Sequence, residues 1–139
     1  MTEPDALARL HRAAFTVSRP WRAAEIADLL NAPHVTLFRA PHGFALTRLV
    51  AGEAELLTIA VDPAHHRQGI AETLLRDWLA SLEGRAETAF LEVAADNTAA
   101  QALYAKIGFG EVARRARYYA RTNAADVDAV IMRLTLTKG

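Results

Sequence analysis

The chain has 139 residues, of which 52% are hydrophobic, and its 16 basic side chains balance 16 acidic ones. This length suits one domain over residues 1–139, and the neutral charge excludes the excess positive charge typical of nucleic-acid or membrane-surface binders. There is no cysteine, which excludes disulfides, thiolate metal sites and a cysteine nucleophile. No apolar run approaches the roughly 18 residues of a membrane span, and the acidic start MTEPD is unlike a signal peptide. We therefore expect a cytoplasmic protein with no membrane or nucleic-acid partner.

The first third of the chain predicts two helices and two strands. Apolar side chains recur at helical spacing over 5–15 and 22–32, and Pro33 is expected to end the second helix. Strands are predicted over 34–40 and 43–52, joined by a turn at 41–43.

The remainder alternates between strands and helices. An apolar strand at 53–62 leads into a helix at 69–84, and a strand at 87–95 leads into a helix at 97–109. Two more strands are predicted over 111–120 and 127–136. Because a strand–helix–strand crossover is right-handed and joins parallel strands, the segment 53–95 predicts one parallel pair, and the flanking strands should be antiparallel. The order ααβββαβαββ predicts a mixed α/β domain: a mostly antiparallel sheet with a central parallel pair, flanked by helices.

The loop before the helix at 69–84 has the composition of a phosphate-binding turn. A helix N-terminus presents unsatisfied N–H groups and partial positive charge. Gly69 lets the chain turn sharply and lets a ligand approach the backbone, and Arg67 adds a full positive charge. The alternative is an ordinary strand-to-helix loop with a surface arginine, because neither the P-loop nor the Rossmann fingerprint is present.

A second cluster of polar residues lies within LEVAADNTAAQALYAKIGF, residues 91–109. Glu92 interrupts an apolar strand pattern, and burying a carboxylate among residues 90–94 is costly unless it is paired or functional. Asn97 stands at the next helix start, and Tyr104 follows seven residues later. Taken singly, the three residues predict equally well a solvent-facing glutamate, a helix cap and a packing tyrosine.

Together, and in this order, the two clusters resemble the GNAT superfamily of acetyl-CoA-dependent N-acetyltransferases. The superfamily's loop reads Arg/Gln-x-x-Gly-x-Gly/Ala, and the register here is HRQGIA, residues 66–71, with His66 where arginine or glutamine is usual. The stretches GFALTRLVAGEAELLTIAVDP, FLEVAADNTAAQALYAKIGF and RARYY are similar to the ribosomal-protein-alanine acetyltransferases of this superfamily. The similarity extends from residue 5 to residue 136.

The resemblance implies acetyl-CoA as the cofactor and a direct transfer without a metal or a covalent enzyme intermediate. It implies Glu92 as general base and Tyr104 as general acid toward the departing thiolate. The strand at 58–61 is expected to pair with the pantetheine arm, and the loop at 66–71 to hold the pyrophosphate. The cofactor residues implied in this way are Thr58, Ile59, Ala60, Val61, His66, Arg67, Gln68, Gly69, Ile70, Ala71 and Asn97.

The resemblance also implies a protein N-terminal peptide as partner, with a ribosomal protein as the family's substrate. Trp21 lies where these enzymes hold the acceptor, although Arg22 follows it where serine is common. Tyr118 and Tyr119 are expected to line the peptide groove, unless they only pack within their strand. Two alternatives stay open: a GNAT enzyme that acts on lysine or a small amine, and a non-catalytic acyl-CoA-binding module.

The five histidines do not predict a metal site. His65 and His66 are adjacent, so their side chains should diverge in regular structure, and no cysteine accompanies them. The other three, His11, His34 and His42, are scattered along the chain. We therefore expect no metal.

Overall fold

Four helices and a six-stranded sheet make up the part of the chain described by a computed structural model, residues 2–14, 21–66, 68–119 and 125–136, with only the backbone of 13 and 14. The helices are α1 (Glu3–Ala14), α2 (Ala23–Leu30), α3 (Ile70–Ser81) and α4 (Thr98–Ile107). The strands are β1 (Val35–Ala40), β2 (Gly43–Val50), β3 (Glu53–Val61), β4 (Thr88–Ala94), β5 (Gly110–Tyr119) and β6 (Val127–Thr135). The predicted order of elements is confirmed, and a short 3-10 turn at Pro63–His65 was not predicted.

The sheet has the strand order β1-β2-β3-β4-β6-β5. Its central pair, β3 and β4, is parallel, and the other four neighbouring pairs are antiparallel. This confirms the predicted mixed sheet. Because β6 lies between β4 and β5, the C-terminal hairpin continues the sheet from the edge of β4, and β5 forms the outer strand.

Helices cover both faces of the sheet. On one face α3 and α4 contribute Leu75, Trp78 and Tyr104 to a core cluster that includes the β4 residue Leu91. On the other face, residues of α1 and α2 form a second cluster with strand residues, among them Ile26. A fully buried side chain of this kind contributes about 1.5–3 kcal/mol relative to its exposed state. The two clusters therefore hold the sheet in place from both sides.

A β-bulge in β3 changes which face its side chains reach. Leu46 of β2 pairs with Thr58, whereas the next residue of β2 pairs with Leu56, so Leu57 is the extra residue. Leu57 packs against the α1–α2 cluster, and Thr58 also contacts α1, through a hydrogen bond to His11. Two successive residues thus point to one face, which regular alternation forbids.

The parallel pairing of β3 with β4 ends at Leu56 and Leu91, immediately before this bulge. Bulges bend the strand that carries them. We call the region beyond the last pair the fork; it is bounded by residues 58–61 of β3 and 92–94 of β4. The fork lies in the middle of the sheet, which is where the sequence placed its candidate residues.

Two further details concern the helices. α2 ends at Leu30, two residues before the predicted end at residue 32, and the Asn31 side chain donates a hydrogen bond to the carbonyl of Ala27 at 2.9 Å. This side-chain bond to a terminal carbonyl accounts for the earlier stop. Among the described residues, no helix is long and apolar enough to cross a membrane.

Candidate active site

The loop between β3 and α3 has a backbone that is open to a ligand. Asp62 begins the loop by accepting a hydrogen bond from the N–H of Ala64 at 3.0 Å. Gly69, directly before α3, has a φ of 76°, a left-handed conformation that glycine adopts without strain. A Cβ placed on Gly69 meets no atom within 4 Å. Since the first N–H groups of α3 have no partner within the helix, this loop fits an anionic group.

His66, the unusual residue of the loop motif, turns its side chain back toward β3. Its Nε2 donates to the carbonyl oxygen of Val61 at 3.0 Å, and because a carbonyl only accepts, the proton is on Nε2. The side chain therefore ties the loop to the end of β3. Of the other predicted loop residues, Gln68 is exposed, and Arg67 lies outside the described residues.

Residues 58–61 of β3 keep one backbone edge outside the described strand pairing. Their other edge pairs with β2, for example Ile59 with Ala45. On the β4 side the last pair is Leu56 with Leu91, so the later N–H and C=O groups on that side face the fork. These are the groups expected to pair with an extended amide-containing ligand.

Glu92 is the first residue of β4 beyond the last pair with β3. Strand alternation places Leu91 and Val93 in the core and Glu92 on the opposite face, with 24% of its side chain exposed. The carboxylate therefore lies between the two possibilities that the sequence left open, since it is neither fully buried among residues 90–94 nor fully exposed. Its Oε1 lies 3.3 Å from Nη2 of Arg115 on β5, so the carboxylate is paired as well as partly solvated.

Tyr104 is buried on α4, where its ring packs edge-on against Phe109 at a centroid distance of 6.2 Å. Burial raises the pKa of Tyr104 well above its ordinary value, and the nearby Tyr119 raises it further. The phenol is consequently protonated at neutral pH, which is the form that a general acid needs.

Asn97 caps α4. Its Oδ1 accepts a hydrogen bond from the N–H of Ala100 at 3.2 Å, as a helix N-cap does. The alternative that Asn97 is a cap is confirmed, and its contact with a cofactor remains a prediction. The same helix is tied to the end of β4, because Nε2 of Gln101 donates to the carbonyls of Ala94 and Ala95.

Glu92, Arg115 and Tyr118 form a group of neighbouring side chains that we call the C-terminal network. Tyr119, the second of the two adjacent tyrosines of β5, lies next to it. The Arg115 guanidinium lies 5.1 Å from the centre of the exposed Tyr118 ring, and that ring meets Tyr119 edge-on at 5.2 Å. Tyr119 also raises the pKa of Tyr104, which is the second predicted catalytic residue. Arg115 was not identified from the sequence.

An N-terminal network, made of Trp21, His11 and Thr58, lies on the α1 side of the fork. Nδ1 of His11 accepts a hydrogen bond from the backbone N–H of Trp21 at 3.1 Å. The proton of the neutral ring is therefore on Nε2, which donates to Oγ1 of Thr58 at 3.1 Å. The Trp21 ring stacks on the imidazole at a centroid distance of 5.4 Å. The network joins the predicted acceptor residue to the predicted cofactor strand.

His11 was also missed as a site residue. The available signal was its position on the apolar face of α1, four residues after Leu7 and next to Leu10. A polar side chain on that face needs a buried partner, but the sequence does not show that the partner is Thr58, 47 residues away.

Comparison with known proteins identifies the family. A model of the Acetyltransferase (GNAT) family matches residues 6–109, three quarters of the chain. The chain belongs to this family. The GNAT resemblance predicted from the loop at 66–71 and from the cluster at 91–109 is thereby confirmed, and members of this family use acetyl-CoA.

Within the GNAT family, the chain is similar in sequence to N-terminal acetyltransferases of bacteria. The [ribosomal protein bS18]-alanine N-acetyltransferase of Escherichia coli K12 is 45% identical over 95 residues, which cover 68% of this chain and 64% of that protein. The match thus spans less than two thirds of the relative's length. The N-alpha-acetyltransferase RimI of Mycobacterium tuberculosis is 37% identical over 137 residues, 91% of this chain and 85% of that protein.

The fold agrees with these relatives. The crystal structure of the E. coli ribosomal-protein-S18-alanine N-acetyltransferase matches with a TM-score of 0.88 at 34% identity, covering all of this chain and 91% of the other. Arabidopsis thaliana NAA60 in complex with a bisubstrate analogue has a TM-score of 0.82 at 18% identity, covering 99% of this chain and 94% of that chain, and shares the fold.

Proposed function

We propose that this chain is an acetyl-CoA-dependent N-α-acetyltransferase whose acceptor is a protein N-terminus, in particular the N-terminal alanine of a ribosomal protein. The observation that carries the proposal is the position of Glu92, a half-buried carboxylate at the first β4 residue of the fork. The printed names of the E. coli and M. tuberculosis relatives support the choice of acceptor. We place the reaction in the cytoplasm, as the sequence predicts.

The described residues of β3 and of the loop that follows it fit acetyl-CoA. The edge of residues 58–61 that β4 does not pair offers backbone groups to the amides of the pantetheine arm, while the Val61 carbonyl already accepts from His66. The open backbone at Gly69 and the first N–H groups of α3 offer donors to the pyrophosphate. When bound, acetyl-CoA supplies the acetyl thioester that the acceptor amine attacks.

Glu92 removes the proton that prevents the acceptor amine from attacking. Only a neutral amine is nucleophilic, so a base must take this proton, directly or through one water. An α-amine has an ordinary pKa of about 8, against about 10.4 for lysine, a difference worth about 3.4 kcal/mol. A carboxylate base therefore deprotonates a protein N-terminus more readily than a lysine side chain.

Tyr104 supplies the second proton transfer. Its phenol donates a proton to the sulfur of the departing thiolate while Glu92 retains the proton from the amine. A phenol is protonated over the whole neutral range, and burial, which raises the pKa of Tyr104, extends this protonated form to higher pH. The N–C bond forms as the C–S bond breaks, and no covalent enzyme intermediate is required.

Trp21 and the two tyrosines of β5 are proposed to contact the acceptor peptide. Trp21 is fixed by His11 on one side of the fork, and Tyr118 is exposed next to Arg115 on the other. An aromatic side chain on each side can hold the first residues of an extended peptide. The half-buried Tyr119 lies behind Tyr118 and contributes its position near Tyr104.

Mass spectrometry of reaction products tests the proposal. The full chain is incubated with acetyl-CoA and a peptide that begins with alanine and contains one lysine. A second peptide of the same sequence carries an acetylated N-terminus, so that lysine is its only free amine. We expect one acetyl group on the first peptide, at the α-amine, and none on the second.

Two other results would each contradict part of the proposal. Acetylation of lysine alone would make the acceptor wrong and favour the lysine-specific alternative. Binding of acetyl-CoA without turnover of any amine would favour an acyl-CoA-binding module.

A further inference from the structure

Two histidines and an aspartate that are far apart in sequence meet at the start of the cofactor loop. His42 lies in the turn between β1 and β2, Asp62 follows β3, and His65 is in the 3-10 turn. One nitrogen or oxygen atom of each side chain lies within 4.8 Å of those of the other two. The histidines that the sequence shows as scattered are therefore brought together in part.

Backbone geometry builds this cluster. The N–H of Asp62 donates to the carbonyl of His42 at 2.8 Å, which fixes the turn against the end of β3. His42 itself has a φ of 66°, a left-handed conformation that is uncommon outside glycine. The imidazole rings of His42 and His65 stack at 3.5 Å with planes 5° apart. The β1–β2 turn and the segment that follows β3 are thus held against each other at this point.

The chemistry of the three side chains is that of a transition-metal site. Imidazole nitrogen and carboxylate oxygen are ordinary ligands of Zn²⁺, at distances of about 2.0–2.2 Å. Oδ1 of Asp62 accepts the N–H of Ala64, and its second oxygen takes no part in that bond. In a tetrahedral site neighbouring ligand atoms lie roughly 3.3 Å apart, which follows from those distances. The ligand atoms of the observed cluster lie within 4.8 Å of one another, so rotation of the side chains has to bring them to this spacing.

We propose that His42, Asp62 and His65 bind one divalent transition-metal ion, with Zn²⁺ as the best-fitting ion and water as the remaining ligand. A metal lies in the plane of each imidazole that binds it, so the two rings turn out of their stack on binding. His42 is exposed and His65 is half-buried, which leaves room for this rotation. His66 keeps its bond to Val61 and stays outside the ligand set.

The consequence for the molecule is a tie between the β1–β2 turn and the cofactor loop. His65 precedes Gly69 by four residues, so a bound cation adds positive charge to the segment that leads to the proposed pyrophosphate site. The ion also stabilises the folded chain, because only the folded chain brings the three ligands together. This inference is independent of which amine the enzyme acetylates.

Isothermal titration of the untagged full chain with ZnCl₂ tests the site, at neutral pH and after removal of metals by a chelator. We expect one Zn²⁺ per chain with micromolar affinity. The substitutions His42→Ala and His65→Ala should each weaken binding about tenfold or more, because each removes a direct ligand. Asp62→Asn should also weaken binding while keeping the oxygen that accepts the N–H of Ala64.

His34→Ala is the matched control. His34 is exposed and has a φ of 68°, so its substitution, like His42→Ala, replaces an imidazole by alanine at a left-handed backbone position. We expect His34→Ala to bind Zn²⁺ like the parent chain. Absence of Zn²⁺ binding by the parent chain would overturn the proposal, as would unchanged binding by His42→Ala or an equal loss in His34→Ala.

Melting temperatures provide a second measurement. Zn²⁺ should raise the melting temperature of the parent chain and of His34→Ala, and leave that of His42→Ala unchanged. In the presence of chelator, His42→Ala should melt no higher than the parent chain, since it lacks the ring stack with His65, so the comparison uses the rise that Zn²⁺ causes in each chain. An equal Zn²⁺-dependent rise in the parent chain and in His42→Ala would contradict the site.

Discussion

The two networks that flank the fork differ in how they are held. In the N-terminal network His11 is 2% exposed and joins Trp21 to Thr58 through neutral hydrogen bonds. In the C-terminal network Glu92 pairs with Arg115, whose side chain is 54% exposed. Within the described residues, the first network thus depends on buried, uncharged hydrogen bonds, and the second depends on an ion pair that is partly exposed to water.

This difference suggests that one network contributes mainly to the stability of the protein and the other mainly to its reactivity. When one partner of a buried hydrogen bond is removed, the other partner is left without a hydrogen bond to protein or water. This loss lowers the free energy of unfolding by about 1–3 kcal/mol. A partly exposed ion pair contributes only about 0–1 kcal/mol, so it can open to admit an amine. We therefore expect the N-terminal network to shape the fork and the C-terminal network to perform the chemistry.

The largest expected effect is on catalysis, from Glu92→Gln. If Glu92 is the general base as proposed, its loss should lower kcat/KM by roughly 10²–10⁴-fold and leave the free energy of unfolding within about 1 kcal/mol of the parent. Steady-state kinetics with an alanine-starting peptide, together with urea denaturation, measure both quantities.

Glu55→Gln is the control for Glu92→Gln. Glu55 lies on the neighbouring strand β3, is 28% exposed against 24% for Glu92, and pairs with Arg48 at 2.7 Å. The Glu55 variant should keep its activity. Wild-type turnover by Glu92→Gln would remove the distinction between the two sides of the fork.

The next largest effect tests the N-terminal network through His11→Ala. This variant should lose about 1–3 kcal/mol of unfolding free energy, because Trp21 and Thr58 lose their buried partner. His34→Ala, at an exposed histidine, should stay within about 0.5 kcal/mol. Urea denaturation of the parent, His11→Ala and His34→Ala measures the free energy of unfolding of each chain. Equal stability of all three would show that the buried network does not hold the fork.

A smaller effect appears in alkali and reports on Tyr104. Because burial raises its pKa, the folded chain keeps the phenolic proton that the unfolded chain loses above pH of about 10. Stability from this group is complete below that pH and declines above it, by up to about 1.4 kcal/mol per pH unit. The free energy of unfolding of Tyr104→Phe should decline less steeply with pH than that of the parent. Tyr118→Phe, at an exposed position, should show the same decline as the parent. Equal slopes in the parent and Tyr104→Phe would contradict the burial argument.

The smallest effect on stability is expected for Arg115→Ala. Loss of the pair with Glu92 should cost less than about 1 kcal/mol, and high salt should remove most of the difference. Activity should fall, since Glu92 loses the group that orients it. Arg114→Ala, which removes pairs with Glu111 and Asp128 instead, should keep its activity. A larger loss of activity in Arg114→Ala than in Arg115→Ala would contradict the role given to Arg115.

Sequence reasoning predicted the order of elements because it depends on local signals. Apolar periodicity marked α3 and β3, and Gly69 marked the start of α3. Glu92 could be buried or solvent-facing by sequence alone, and the alternation of side chains in the folded strand decided its face. Its partner Arg115 is 23 residues away on another strand, and a pairing across β6 is not visible in a linear pattern.

By itself, the sequence determined the family and the mixed sheet, which follow from its motifs and from apolar periodicity. Through the family resemblance it also predicted which residues bind acetyl-CoA and move protons. Only the tertiary structure decided that Leu57 bulges, that Thr58 consequently faces His11, and that His42 meets Asp62 and His65. The physical reason is that strand register and chain crossing set these contacts, and both depend on the simultaneous packing of distant segments.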